Sequence, residues 1–197
     1  CERNNGTTVD SFLNDKRDSS KIVWTDTLVR DLEKCISYNV DESRYTTSLY
    51  RPFFKQCLYQ DKILNHRVYQ QSKLFPTTNH KNLVICVSGI GASKDFSAII
   101  TNCIPCLDLV EKSQCFPLYW YDSSDADIAD LFNQGAEKPM DRYVRKDGVT
   151  DWILNTARKQ YGYKVTKEDI FYYVYGLLHS PDYRTTFATD LKKSLPR

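Results

Sequence analysis

The sequence predicts a mixed α/β (α+β) fold: a small mixed β-sheet module over residues 1–124, followed by a helical C-terminal subdomain over residues 125–197. Three observations predict it. Aromatic and β-branched residues alternate with polar ones between positions 44 and 64, and Pro52 interrupts the run. Short apolar runs bounded by Gly, Ser and Asp clusters follow up to residue 124. From Thr150 onward, capping residues precede stretches whose apolar positions recur at helical spacing. A chain of 197 residues is long enough to bury a core without disulfide or metal staples.

Residues 1–20 are polar and rich in Asn, Ser and Asp, and read as a lead-in. Ile22-Val23-Trp24 reads as a short strand. Thr25 then caps a helix over Asp26–Cys35, with Leu28 and Leu32 on one face and acid in the first turn. Residues 44–64 read as two strands with a bend at Arg51-Pro52, because proline cannot donate to a ladder. The polar stretch 65–81 lacks periodicity and reads as a loop crossing. Leu83–Val87 is a buried strand by its unbroken apolar run, Ser88–Ser93 a glycine turn, Phe96–Thr101 a second strand and Cys115–Tyr121 a third. Thr150 caps a helix over Asp151–Gln160. Thr166 and Asp169 form a capping box for a helix running to Leu178, with Ile170, Val174, Leu177 and Leu178 at apolar positions. Ser180-Pro181 restarts a helix that places Tyr183, Phe187 and Leu191 on its inner face.

Composition is that of an ordinary soluble globular protein, with 41% hydrophobic and 26% charged residues, but aromatics reach 13% and include 14 Tyr. No apolar run approaches membrane-spanning length, so no membrane partner is expected. Seven cysteines, mostly within apolar stretches, suggest buried, reduced thiols and a cytoplasmic location. The start at Cys1 and the stop after Leu195-Pro196-Arg197 suggest a fragment of a longer polypeptide. The formal net charge of +2 conceals blocks: residues 44–94 carry eight Lys/Arg against Asp61 alone, whereas 95–141 carry two against nine acids. A basic block of that size is an electrostatic footprint suited to phosphates.

Catalytic signatures are weak. Cys103-Ile104-Pro105-Cys106 has the spacing of a redox pair, but no thioredoxin-like order surrounds it, and two small residues flanking a proline turn account for it more simply. Cys103, Cys106 and Cys115 offer three zinc ligands where four are needed. Gly89-Ile90-Gly91 lacks the remainder of any nucleotide-binding loop and reads as a turn tip presenting Ser93 and Lys94. Asp125, Asp127 and Asp130 form an acidic cluster better explained by a helix start than by Mg²⁺. No catalytic residue, metal site or cofactor is expected. What remains is a basic, amide-rich and aromatic segment. Arg51, Lys55, Arg67, Lys73 and Lys94 suit phosphates and guanine edges, and Gln56, Gln70, Asn79 and His80 suit base edges. Tyr69 suits sugar or phosphate packing.

These residues sit within a wider resemblance. Ser48-Leu49-Tyr50-Arg51-Pro52-Phe53, Leu58-Tyr59, Ile63-Leu64-Asn65, Gln114-Cys115-Phe116-Pro117 and above all Val165–Pro181 resemble the C-terminal target-recognition domain of Type ISP restriction–modification enzymes. The resemblance spans roughly residues 20–197 and implies an arrangement with nuclease, ATP-driven translocase and adenine-N6 methyltransferase upstream. It implies that this domain reads a short asymmetric sequence in double-stranded DNA and contacts the methyltransferase and coupling regions of the same polypeptide. Neither a nucleotide-triphosphate loop nor an Asn/Asp-Pro-Pro-Tyr/Phe motif occurs, so the upstream activities are not expected here. The rival expectation is an interaction module that bridges motor and methyltransferase without touching DNA.

Overall fold

The computed structural model describes Ser11 and residues 24–65, 68–123 and 143–196. Arg67, Cys1, the expected strand residues Ile22 and Val23, and the cluster Asp125, Asp127 and Asp130 lie outside the described residues. The elements are α1 (Asp26–Glu33), a 3₁₀ turn (Glu42–Arg44), β1 (Tyr45–Arg51), β2 (Phe54–Tyr59), α2 (Gln71–Leu74), β3 (Val84–Val87), β4 (Ala98–Thr101), β5 (Ile104–Pro105), β6 (Gln114–Pro117), β7 (Tyr119–Ser123), β8 (Tyr143–Asp147), α3 (Asp151–Tyr161), α4 (Lys167–His179), α5 (Pro181–Thr186) and α6 (Ala188–Lys193). The fold is mixed α+β, as the sequence indicates.

The strands form three small sheets, ordered β2-β1-β5, β4-β3-β6 and β7-β8. All pairings are antiparallel except β1 with β5, where Ser48 lies beside Ile104 in parallel. The expected aromatic strand Cys115–Tyr121 is divided at Leu118, because its two halves serve different partners. Gln114–Pro117 pairs with β3, whereas Tyr119–Ser123 pairs with β8. Leu118 turns its own N–H to Leu83 O at 2.8 Å, and its carbonyl accepts from Gly148 N at 2.7 Å. A Cβ at Gly148 would stand 2.1 Å from Pro117 O, so only glycine permits this approach.

β3 is buried on both faces and divides the interior. Val84 and Cys86 pack into one cluster with Leu49, Leu74, Phe75, Ile104 and Leu109. Ile85 and Val87, on the other face, pack with Ala98, Leu118, Phe171 and Leu178. The second cluster anchors the C-terminal helices to the sheet. The inward stripe of α4 is therefore Phe171, Tyr175 and Leu178, not the expected Val174 and Leu177, which are exposed. Buried Asn82 ties the sheets together. Its side-chain N–H groups donate to Leu74 O (2.9 Å) and Tyr119 O (2.6 Å), and its oxygen accepts from Leu83 N (2.9 Å) and Tyr119 N (3.1 Å).

Capping follows the sequence signals. Thr25, Thr150 and Thr166 each accept a backbone N–H of the first turn, and Asp169 completes the capping box. Ser180 ends α4 and caps α5. The last expected helix is broken at Phe187, which leaves that ring exposed while Leu191 remains buried. The cysteine expectation needs correcting. Of the described thiols only Cys86 is buried, Cys35 and Cys57 are exposed, and Cys103, Cys106 and Cys115 are half-buried.

Candidate nucleic-acid interface

The β1–β2 hairpin forms one end of the β module. Its register runs from Tyr45 opposite Tyr59 to Arg51 opposite Phe54, with an irregularity between Leu49 and Arg51. Pro52 and Phe53 make the turn. Proline suits the first position of a tight turn, but Phe53 adopts φ +66°, a left-handed conformation that bulky residues rarely take. Its ring is 95% exposed. Arg51 lies with its guanidinium carbon 4.4 Å from the centroid of the Tyr50 ring and donates to Tyr50 O (3.2 Å) and Asp108 O (3.0 Å). These contacts fix the arginine stem beside the turn.

Two further loops are fastened to this end. The 106–113 loop bonds β1 through Cys106 N to Leu49 O at 3.0 Å. Glu111 and Lys112 both take positive φ, which aims the Glu111 carboxylate at the backbone N–H groups of Ser93 (2.7 Å) and Lys94 (3.1 Å). Those donors hold the Glu111 carboxyl below its ordinary pKa, so it stays ionised. Lys112 Nζ in turn donates to Gly91 O at 2.8 Å. Gly89 lies so close to the Lys112 carbonyl that a Cβ would approach it to 2.0 Å. Arg51, at the end of β1, and Lys94, in the turn after β3, are thus both tied to the 106–113 loop, and Lys55 on β2 and Lys94 are exposed.

Beside the hairpin runs a groove of about 1200 Å³. Its floor includes Leu74, Phe75 and Ile104, and its walls carry Asn39, Gln56, Asn65, Tyr69, Gln70 and Gln114. Tyr69, at φ +44°, is largely exposed. Lys55 and Gln56 are neighbours on β2 and so point to opposite faces, which puts only Gln56 in the groove. Asp61, the lone acid of the basic block, is engaged locally. Burial raises its pKa, but the N–H groups of Leu64 and Ile63 and the Arg44 guanidinium outweigh this and keep it ionised.

The other expected contacts lie elsewhere. His80 lines a second cleft of about 790 Å³, with its ring edge-on to Tyr121 and Tyr143 and Nδ1 2.7 Å from Thr77 Oγ1. Asn79 stands exposed in the adjoining turn. Lys73 approaches the Trp120 ring at 5.7 Å. The structure therefore gathers Arg51, Lys55 and Lys94 at one end and Gln56, Tyr69 and Gln70 in the groove, and separates Lys73, Asn79 and His80 from both. Sequence reasoning passed over Phe53, a bulky apolar residue exposed where a turn favours glycine. It also missed Asn39, Asn65 and Gln114, which reach the groove only through the tertiary fold.

Catalytic alternatives find little support in the geometry. Cys103 and Cys106 flank the two-residue strand β5 and not a helix N-terminus. Among the described residues, no group of three or more His, Cys, Asp or Glu side chains is arranged to hold a metal. Nor does any described helix have the length and apolarity to cross a membrane.

Comparison with known proteins fits this picture. No curated protein sequence matches the chain. Among solved structures it is similar to DrdV in a cryo-EM complex with DNA (32% identity, TM-score 0.74), covering 97% of this chain and 17% of DrdV. It is similar to LlaBIII, an ATP-dependent Type ISP restriction–modification enzyme bound to DNA (28%, 0.73), over 96% of this chain and 12% of that one. It is also similar to a nuclease-deletion mutant of the Type ISP enzyme LlaGI bound to a DNA substrate mimic (28%, 0.67), over 96% and 15%. The chain thus spans less than a fifth of these relatives. A family model matches residues 2–197, and on that match the chain belongs to the Type ISP C-terminal specificity domain family.

Proposed function

We propose that this domain reads a short asymmetric sequence in double-stranded DNA for a single-chain restriction–modification enzyme, and that it contributes no catalytic group or cofactor of its own. The observation that carries this reading is the near full-length likeness to domains of enzymes solved on DNA. The geometry supports it: a cationic end and an amide-lined groove share one β module, which provides phosphate anchors beside groups able to bond base edges. The partners would be the duplex and, within the same polypeptide, the methyltransferase and coupling regions.

A division of labour between the β module up to residue 124 and the chain beyond it accompanies this proposal. A specific observation favours a second, docking role for the later part. Trp152, Tyr163 and Tyr173 are 75%, 81% and 68% exposed on the helical segment, and large aromatic side chains are enriched where partners meet. In this reading the helices seat the module on the rest of the enzyme while the strands and loops face DNA.

Domain exchange tests the main proposal. This chain would replace the matching segment of LlaBIII, and modified bases would be mapped by sequencing across a genome. Modification should move to one new asymmetric sequence. An unchanged pattern in an active chimera would place specificity elsewhere and leave only the bridging role.

A further inference from the structure

We infer that the β1–β2 hairpin enters the major groove and that Phe53 is its apolar base contact, recognising the 5-methyl group of a thymine. The inference rests on the DNA-reading function proposed above and deepens it. Two features of Phe53 oppose the fold: its φ of +66° and a ring left 95% exposed. Glycine would remove both, and nothing among the described residues covers the ring in return. A side chain that is unfavourable in the free domain on two counts is accounted for by what it meets when bound.

The surroundings identify that partner. Tyr50 and Phe54 flank the turn edge-to-face at 6.3 Å, and Arg51, the residue before Pro52, lies on Tyr50 with its guanidinium held by Asp108 O. Lys55 follows on the outer strand. An apolar point set between cations matches a duplex groove, where phosphates form the rims and base edges the floor. A two-stranded ribbon is of a size that the major groove of B-DNA admits, and the one apolar group displayed on that floor is the thymine methyl. The ladder behind the turn and the Arg51 bond to Asp108 O hold the tip at a fixed angle, as recognition by shape requires.

The test uses the intact protein and two variants, Phe53→Gly and Phe53→Leu. Selection from a pool of duplexes with a random centre yields the sequence preferred by the parent. Each thymine of that sequence is then replaced by deoxyuridine, which removes only the methyl group. One replacement should weaken parent binding about fourfold, the worth of one buried methyl. Phe53→Gly should be indifferent to that replacement and should raise the melting temperature of the domain. Phe53→Leu should keep part of the methyl preference. If no thymine is methyl-sensitive, or if Phe53→Gly retains the full preference, the inference fails while DNA reading stands. If the parent selects no sequence at all, DNA reading itself fails and this contact with it.

Discussion

Arg51 and Lys94 are separated by 43 positions in sequence but are tied to one loop through Asp108, Glu111 and Lys112. Each is expected to lose a phosphate contact when replaced by alanine. Binding to unselected duplex should weaken for both variants, and the slope of log affinity against log salt should become shallower by about 1 for each. A titration of fluorescence anisotropy across salt concentrations measures this, and an unaltered slope in both variants would move the phosphate face elsewhere. At this scale the sequence was informative about residue type and poor about surroundings. The basic block pointed to Arg51, Lys55 and Lys94 as DNA contacts, and all three residues are exposed. It could not show that His80 would stand edge-on to Tyr121 and Tyr143, nor that Asn82 would be buried with two of its four bonds reaching Tyr119 on β7. Burial depends on partners that lie as far as 37 residues away along the chain.

The elements divide by how local their causes are. Thr150, Thr166 with Asp169, and the Arg51-Pro52 bend are short-range signals, and the helices and hairpin appear where those signals place them. Strand β8 carried no such signal: Arg145, Lys146 and Asp147 give it no apolar alternation, and it exists because Tyr119–Ser123 supplies a partner. Strand β5 is only two residues long and owes its conformation to a parallel pairing with β1. The helix α2 is a single turn, too short for periodicity to reveal. The capping box makes a prediction of its own. Thr166→Ala removes the acceptor for Asp169 N and should cost about 1 kcal/mol of stability in chemical denaturation. Hydrogen bonds from the Thr166 side chain and backbone hold the Asp169 carboxyl below its ordinary pKa. The cap is therefore complete above the usual aspartate range and weakens as pH falls through the lowered value. The parent should lose α4 amide protection in acid, and the Asp169→Asn variant should show a smaller dependence on pH. Equal dependence in both would assign the acid sensitivity to another group.

Across the whole molecule, β3 is the wall between two interiors, one holding the hairpin and one holding the helices. Ile85→Ala opens a cavity on the helix side and should cost about 2–5 kcal/mol. Because the wall is shared, the loss should appear as one cooperative transition seen equally by hairpin and helix probes; two separate transitions would show that the layers fold independently. Trp152→Ala provides the contrast. The ring is exposed, so stability of the domain alone should change by no more than about 0.5 kcal/mol. In the intact enzyme the same substitution should increase proteolysis at the start of the helical segment if that surface is seated on its neighbours, and leave the cleavage pattern unaltered if it is not.

The Pro52-Phe53 turn lies outside both interiors, tethered by its ladder and a single arginine. Substitutions there remove no contact from either hydrophobic cluster. On the inference drawn above, a lineage could change its target one codon at a time while keeping the same keel, and a laboratory library could be confined to the same few positions.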